Sequence, residues 1–200
     1  AWAETFGSPA ADYANAVQCT SSGDAVVAGW TNGSFQGAEY ESSFGHDFVL
    51  FKVSATGSLL WVEQRHASSD DELHGVAVDS LDNIYAVGQM ANDTVHGSGL
   101  PAFSGDGLHA AMLKYSSTGT FLYGTGFGSA LKGMSHVLYS VVVNGEDAVF
   151  VVGTVAGSSG SGSQDVVVAK YDGASMWEAY PLWQRTFGGD EDASKQGLAA

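Results

Sequence analysis

Three times the chain writes the same passage: an apolar run, a short polar break, and a second apolar run that ends on glycine. The copies are "NAVQCTSSGDAVVAG" (15–29), "GVAVDSLDNIYAVG" (75–88) and "YSVVVNGEDAVFVVG" (139–153). Each copy sits in a longer unit opened by an aromatic residue, Trp2, Trp61, Tyr123 and then Trp183, and closed by "HDFVLFKVSATG", "LHAAMLKYSSTG" or "QDVVVAKYDGAS". A period of about 60 residues means that each unit is one supersecondary structure whose faces must be covered by its neighbours. The repeats therefore run 2–60, 61–122 and 123–182, with an incomplete fourth at 183–200.

The units read as strands. Their apolar runs are four or so residues long, rich in β-branched and aromatic side chains, and bounded by Gly, Ser, Asn and Asp. They are continuous rather than alternating, so both faces are expected to be buried. The chain has no crossover helices to bury a parallel sheet, whereas "DSLDN" and "SATG" are tight turns that join antiparallel neighbours. With 27 glycines in 200 residues and only 14% charged side chains, the composition suits turns and strands better than helix. The expected fold is all-β: four-stranded antiparallel β-propeller blades, about three of them plus the first strand of a fourth, in a fragment of a larger protein. Strands near 2–6, 14–20, 24–30 and 47–53 form the first sheet, repeated at 61–115 and 123–171. Strand parity puts residues 32–34, 70–72, 92–94 and 190–192 at one end, opposite 54–57 and 79–83.

The stretches "FGSPAADYANAV…GDAVVAGWT", "GVAVDSLDNIYAVGQ" and "DVVVAKYDG…LWQRTFGGDEDA" resemble the bacterial-type seven-bladed β-propeller repeat (SBBP) family. Its repeats read aromatic strand, FGG, Asp, GVAVD, GN-IY-V-G-T and D-FVAK-D-TG-LLW. The resemblance covers nearly the whole chain and implies the same blade fold. The third copy departs at "LKGMSHV", where His136 stands in the place of Asp12 and Asp71.

Several classes of function are set aside by charge and motif. Formal net charge is −15 with seven scattered Lys and Arg, so no basic patch can neutralise phosphates and nucleic acid is not an expected partner. No apolar run reaches the length of a membrane-spanning helix, and no basic-plus-apolar signal segment opens the sequence. The six histidines, His46, His66, His74, His96, His109 and His136, form no i, i+4 pair, and HExxH, GxSxG and P-loop motifs are absent. No catalytic residue and no cofactor is expected. Cys19 matches Val78 and Val143 in the other copies and reads as a small buried hydrophobe.

The remaining candidates lie in loops. Asn32-Gly33-Ser34 and Asn92-Asp93-Thr94 are N-glycosylation sequons in equivalent long loops. Asp70-Asp71-Glu72 and Asp190-Glu191-Asp192 are acidic first loops that read either as solvated charge or as oxygen donors for calcium, without the alternating frame of a calcium loop. Lys52, Lys114 and Lys170 recur five residues after Asp47, His109 and Asp165 and read as strand-end charge pairing. Trp177 and Tyr180, in the extended "MWEAYPLW" link, read either as anchors for a partner chain or as packing beneath that link. The leading expectation is a non-enzymatic extracellular or cell-surface module with a structural or adhesive role, such as the unit of a filament or coat, whose partners are other chains or copies of itself. The alternatives are a propeller that binds a ligand or glycan with its loop end, which a charged, aromatic-lined surface would favour, and a propeller enzyme of quinoprotein or glycosidase type.

Overall fold

In the computed structural model the described residues are 2–38, 45–65, 70–91, 108–127, 136–156, 164–173 and 181–188. They form twelve strands and, among the described residues, no helix. The first sheet is β1 (Asp12–Cys19), β2 (Ala25–Thr31), β3 (Asp47–Val53) and β4 (Leu59–Arg65). The second is β5 (Glu72–Val78), β6 (Ile84–Ala91), β7 (Leu108–Tyr115) and β8 (Phe121–Phe127). The third is β9 (Val137–Val143), β10 (Ala148–Ala156), β11 (Gln164–Asp172) and β12 (Trp183–Phe187). Each sheet pairs its strands antiparallel in chain order.

The grouping of strands differs from the sequence expectation by one position. The aromatic-led segment at Trp61 closes the first sheet rather than opening the second, because the Ser54–Ser58 turn, held by Ser54 N–H on Ser58 O, folds it directly back on β3 with Lys52 opposite Trp61. A five-residue hairpin costs less closure entropy than the longer link that follows. By the same logic residues 2–7 are not a strand of the first sheet. Trp2 instead lies over Gly57, its indole N–H donating to Ala55 O at 2.9 Å. Trp61 lies over Gly119 of the second sheet in the same way. Both glycines have φ near +90° (92° and 85°), where a side chain would also collide with the indole.

The sheets stack in order. Val26, Ala28, Phe48 and Leu50 of the first meet Leu73, Val76, Ile84, Ala86, Met90, Leu113 and Tyr115 of the second. On its other side the second sheet presents Ala77, Tyr85, Val87, Ala110 and Met112 to Leu138, Val141, Val149, Val151, Val167, Ala169 and Tyr171 of the third. The second sheet is thus buried on both faces, as its unbroken apolar runs require. The outer face of the first sheet is covered by Phe6, Phe35 and Ala38 from the chain's own connections. The outer face of the third differs: Val152 is 37% exposed where its counterpart Val87 is fully buried, and Val166 is 45% exposed where Ala110 is fully buried.

Polar clamps at the hairpin turns fix the stack. Asp82 accepts from Ser21 N at 2.8 Å and Ser21 Oγ at 2.5 Å, and Asp147 accepts from Ser80 N at 2.8 Å and Ser80 Oγ at 2.6 Å. Both aspartates adopt the left-handed conformation, φ 60° and 58°, which short polar side chains tolerate. In the first repeat Gly23 replaces this aspartate, and in the third Gly145 replaces the serine. The recurrent lysines act at the same end. Lys52 pairs with Asp24 at 3.1 Å and reaches Ser117 O of the next sheet at 3.5 Å; Lys114 lies 3.8 Å from Asp79 and donates to Gly173 O at 2.8 Å. Their carboxylate partners, Asp24 and Asp79, come from the first hairpin turn, not from the positions five residues earlier, Asp47 and His109. Lys170 lies over the Phe150 ring, 5.4 Å from its centroid.

Expected ends are found where residues are described. Asn32 N–H donates to Ala11 O and Asp71 N–H to His46 O at one end, while Ser21–Asp82 and Ala55 N on Asp24 Oδ1 tie the tight turns together at the other. Residues 92–94 and 190–192 lie outside the described residues.

Candidate functional site at the bulged first strands

The first strand of every sheet carries a β-bulge at the same place. Pairing slips between Ala14 and Ala16, between Leu73 and Gly75, and between Leu138 and Ser140, which leaves Asn15, His74 and Tyr139 as the extra residues. A bulge bends the strand and re-aims a side chain. It also explains why each repeated passage ends on glycine. A Cβ on Gly29, Gly88 or Gly153 would fall on the carbonyl oxygen of Tyr13, Glu72 or Val137 of the bulged partner strand.

Successive bulges meet. Asn15 Nδ2 donates to Leu73 O at 2.8 Å, and the backbone of Tyr139 and Ser140 passes against Gly75. From this junction an arc of side chains runs across all three sheets. Tyr13 stacks on its cross-strand neighbour Trp30 (centroids 4.3 Å, 19°), and Trp30 stacks on His46 (3.8 Å, 13°). His46 Nδ1 lies 2.6 Å from Glu72 Oε1, and Glu72 Oε2 lies 3.6 Å from His74 Nε2. The His74 ring then meets Tyr139 at 5.6 Å. Asp70 accepts from His46 N–H at 3.0 Å. Tyr13 and Tyr139, at the two ends, are 57% and 50% exposed.

Burial holds the His74 imidazole below its usual pKa, against the opposing pull of Glu72. His136 is lowered for the same first reason, with His109 adding repulsion. Both imidazoles therefore protonate more readily in the unfolded chain, which binds more protons as pH falls below about 6.5, so folding stability is present above that pH and lost beneath it. The melting temperature should drop between pH 7 and pH 5, and His74→Gln should flatten the slope. A second loss is expected below about pH 4, where Asp82 and Asp147 give up charged forms favoured chiefly by the Ser21 and Ser80 hydroxyls. A melting temperature that rises on acidification from pH 7 to 5 would contradict the assignment.

The sequence candidates fare unevenly. Asn32 is exposed and Ser34 with it. Asn92, Trp177 and Tyr180 lie outside the described residues. The acidic first loop is not a run of solvated charge: Asp71 is fully buried and accepts from Ala91 N–H at 2.8 Å. Its counterpart Asp12 accepts from Ser8 N at 2.8 Å and Thr31 Oγ1 at 2.6 Å. These aspartates brace the loop to the end of the second strand. Among the described residues no three His, Cys, Asp or Glu side chains converge as they would around a metal ion. Cys19 is exposed, contrary to expectation. Val78 and Val143 are partly covered by the preceding sheet, whereas among the described residues no sheet lies against Cys19 in that way.

The arc itself went unnoticed in the sequence, where Tyr13, Trp30 and Tyr139 are ordinary strand residues and His46 and His74 stand 28 positions apart. One signal was legible: Asn15, His74 and Tyr139 hold the same place in the three copies, just ahead of the apolar run. The chain matches no protein-family model, and no curated protein is significantly similar to it.

Proposed function

We propose that this chain is a run of β-propeller blades in a non-enzymatic module that acts outside the cell or at its surface, in a structural or adhesive role. The observation that carries the reading is the contrast between equivalent faces. Val87 and Ala110 are sealed by the following sheet, whereas Val152 and Val166, at the same places in the third sheet, remain open. An apolar face of this design is satisfied by a further four-stranded sheet of the same kind. Adjacent first strands, with the sheets spreading from them, are the geometry in which such units pack around an axis. Low charge and a −15 balance suit a surface layer or filament subunit better than a nucleic-acid partner. Trp177 and Tyr180 are proposed as contacts to a neighbouring chain.

The arc from Tyr13 to Tyr139 favours a second role, ligand binding at the loop end, since it is the charged, aromatic-lined surface that separates a binding module from a purely assembling one.

Material from the natural source tests the main reading. Electron microscopy should find the protein in an ordered polymer or surface layer, and glycopeptide analysis should find N-linked glycans on Asn32 and Asn92. The exposure of Asn32 and Ser34 leaves room for a bulky polar adduct. A free monomer in the cytosol, with both asparagines unmodified, would overturn it.

A further inference from the structure

The Tyr13–Trp30–His46–Glu72–His74–Tyr139 arc has a chemistry narrower than "ligand binding". Its ends are tyrosine rings half open to solvent, Tyr13 on β1 and Tyr139 on β9. Tyr13 is backed by Trp30 and then by His46, so the ring is held in place by stacking before any ligand arrives. Between the ends lie Glu72, which bridges two imidazoles, and the half-exposed Asp70. A pre-positioned aromatic face beside carboxylate acceptors and an imidazole that can donate or accept suits a ligand with one flat C–H surface and a rim of hydroxyls. The C–H groups meet the negative face of the ring, and the hydroxyls donate to carboxylate oxygens. The two carboxylates, on a chain of net charge −15, oppose an anionic ligand.

We propose that this arc binds a neutral saccharide, a pyranose ring stacking on Tyr13 or Tyr139 while its hydroxyls are read by Glu72, Asp70 and His74. The inference rests on the ligand-binding reading above, and its test separates the two. The whole chain is titrated with neutral hexasaccharides of glucose, mannose, galactose and N-acetylglucosamine, with oligogalacturonate as the acidic counterpart and an unrelated set of short peptides as the non-saccharide probe. Binding is followed by calorimetry and by the fluorescence of tryptophan, since Trp30 lies in the stack. At least one neutral hexasaccharide should bind with Kd near or below about 1 mM. Tyr13→Ala should weaken that binding about tenfold or more, while Tyr13→Phe, which keeps the stacked ring, should retain most of it. Tyr13 is largely exposed, so its melting temperature should hardly move, and Tyr139→Ala provides an independent second variant. Failure of every neutral saccharide at about 10 mM, or binding that survives both alanine variants, overturns the proposal. Should only oligogalacturonate or a peptide bind, and Tyr13→Ala abolish it, the saccharide class falls while ligand binding at the arc stands. Should no probe bind, both fall.

Discussion

Gly88→Ala should destabilise the fold by about 3 kcal/mol or more, a large part of the 5–15 kcal/mol that holds a typical domain together. The new Cβ has no room: it would sit on Glu72 O and within 3 Å of the Leu73 and Glu72 backbone. These atoms belong to the bulged strand and cannot swing aside as a flexible side chain would. Relief requires either undoing the bulge at His74, which reverses the facing of the residues beyond it, or separating β5 from β6. Gly145→Ala is the matched control. Nothing lies within 4 Å of its added carbon, so the change should be neutral, or stabilising by up to about 1 kcal/mol through the unfolded chain. Urea unfolding of the two variants checks the pair, and a Gly88→Ala midpoint indistinguishable from the parent would remove the steric account of the conserved place of glycine in the repeat. His74→Gln, by contrast, leaves the bulge in place.

The other large effect sets two valines of the same repeat position against each other. Val87→Glu places a carboxylate between the second and third sheets, in the apolar cluster that holds Leu138, Val141 and Val149. An uncompensated buried charge of this kind costs about 3–5 kcal/mol, so the chain should unfold or lose its third sheet. Val152→Glu, on the open face of the third sheet, should leave thermal unfolding of the isolated chain within about 0.5 kcal/mol of the parent. The same substitution should nonetheless disrupt whatever assembly the native protein forms through that face. Equal stability losses at the two sites would mean that the third sheet is covered within the chain itself.

Much of the fold was legible before any coordinates, and for local reasons. A turn such as "DSLDN" closes a hairpin wherever it stands, since Asp79 accepts from Leu81 N and Asn83 N within its own five residues. Strand length, residue type and the period of about 60 residues follow from equally local chemistry. The tight turn at Ser54–Gly57 was legible too, and weighing its closure against the aromatic repeat boundary would have put Trp61 in the first sheet. The site was far less accessible. His46 and Glu72 are neighbours only because the first and second sheets pack with their first strands together, and Tyr13 meets Trp30 only through the antiparallel register.

What the sequence determined by itself was therefore the all-β character, the hairpins, the antiparallel four-stranded unit, the two ends of the stack, and the need for apolar cover on both faces of each sheet. Those properties depend on side chains within a few residues of one another. Tertiary structure alone decided which strand closes which sheet, where the bulges turn Asn15, His74 and Tyr139, that Asp71 is a buried brace, and that Cys19 and Val152 stay open while Val78 is partly covered and Val87 is sealed. Burial belongs to a pair of surfaces, and no residue can specify in its own sequence neighbourhood whether a second sheet lies against it.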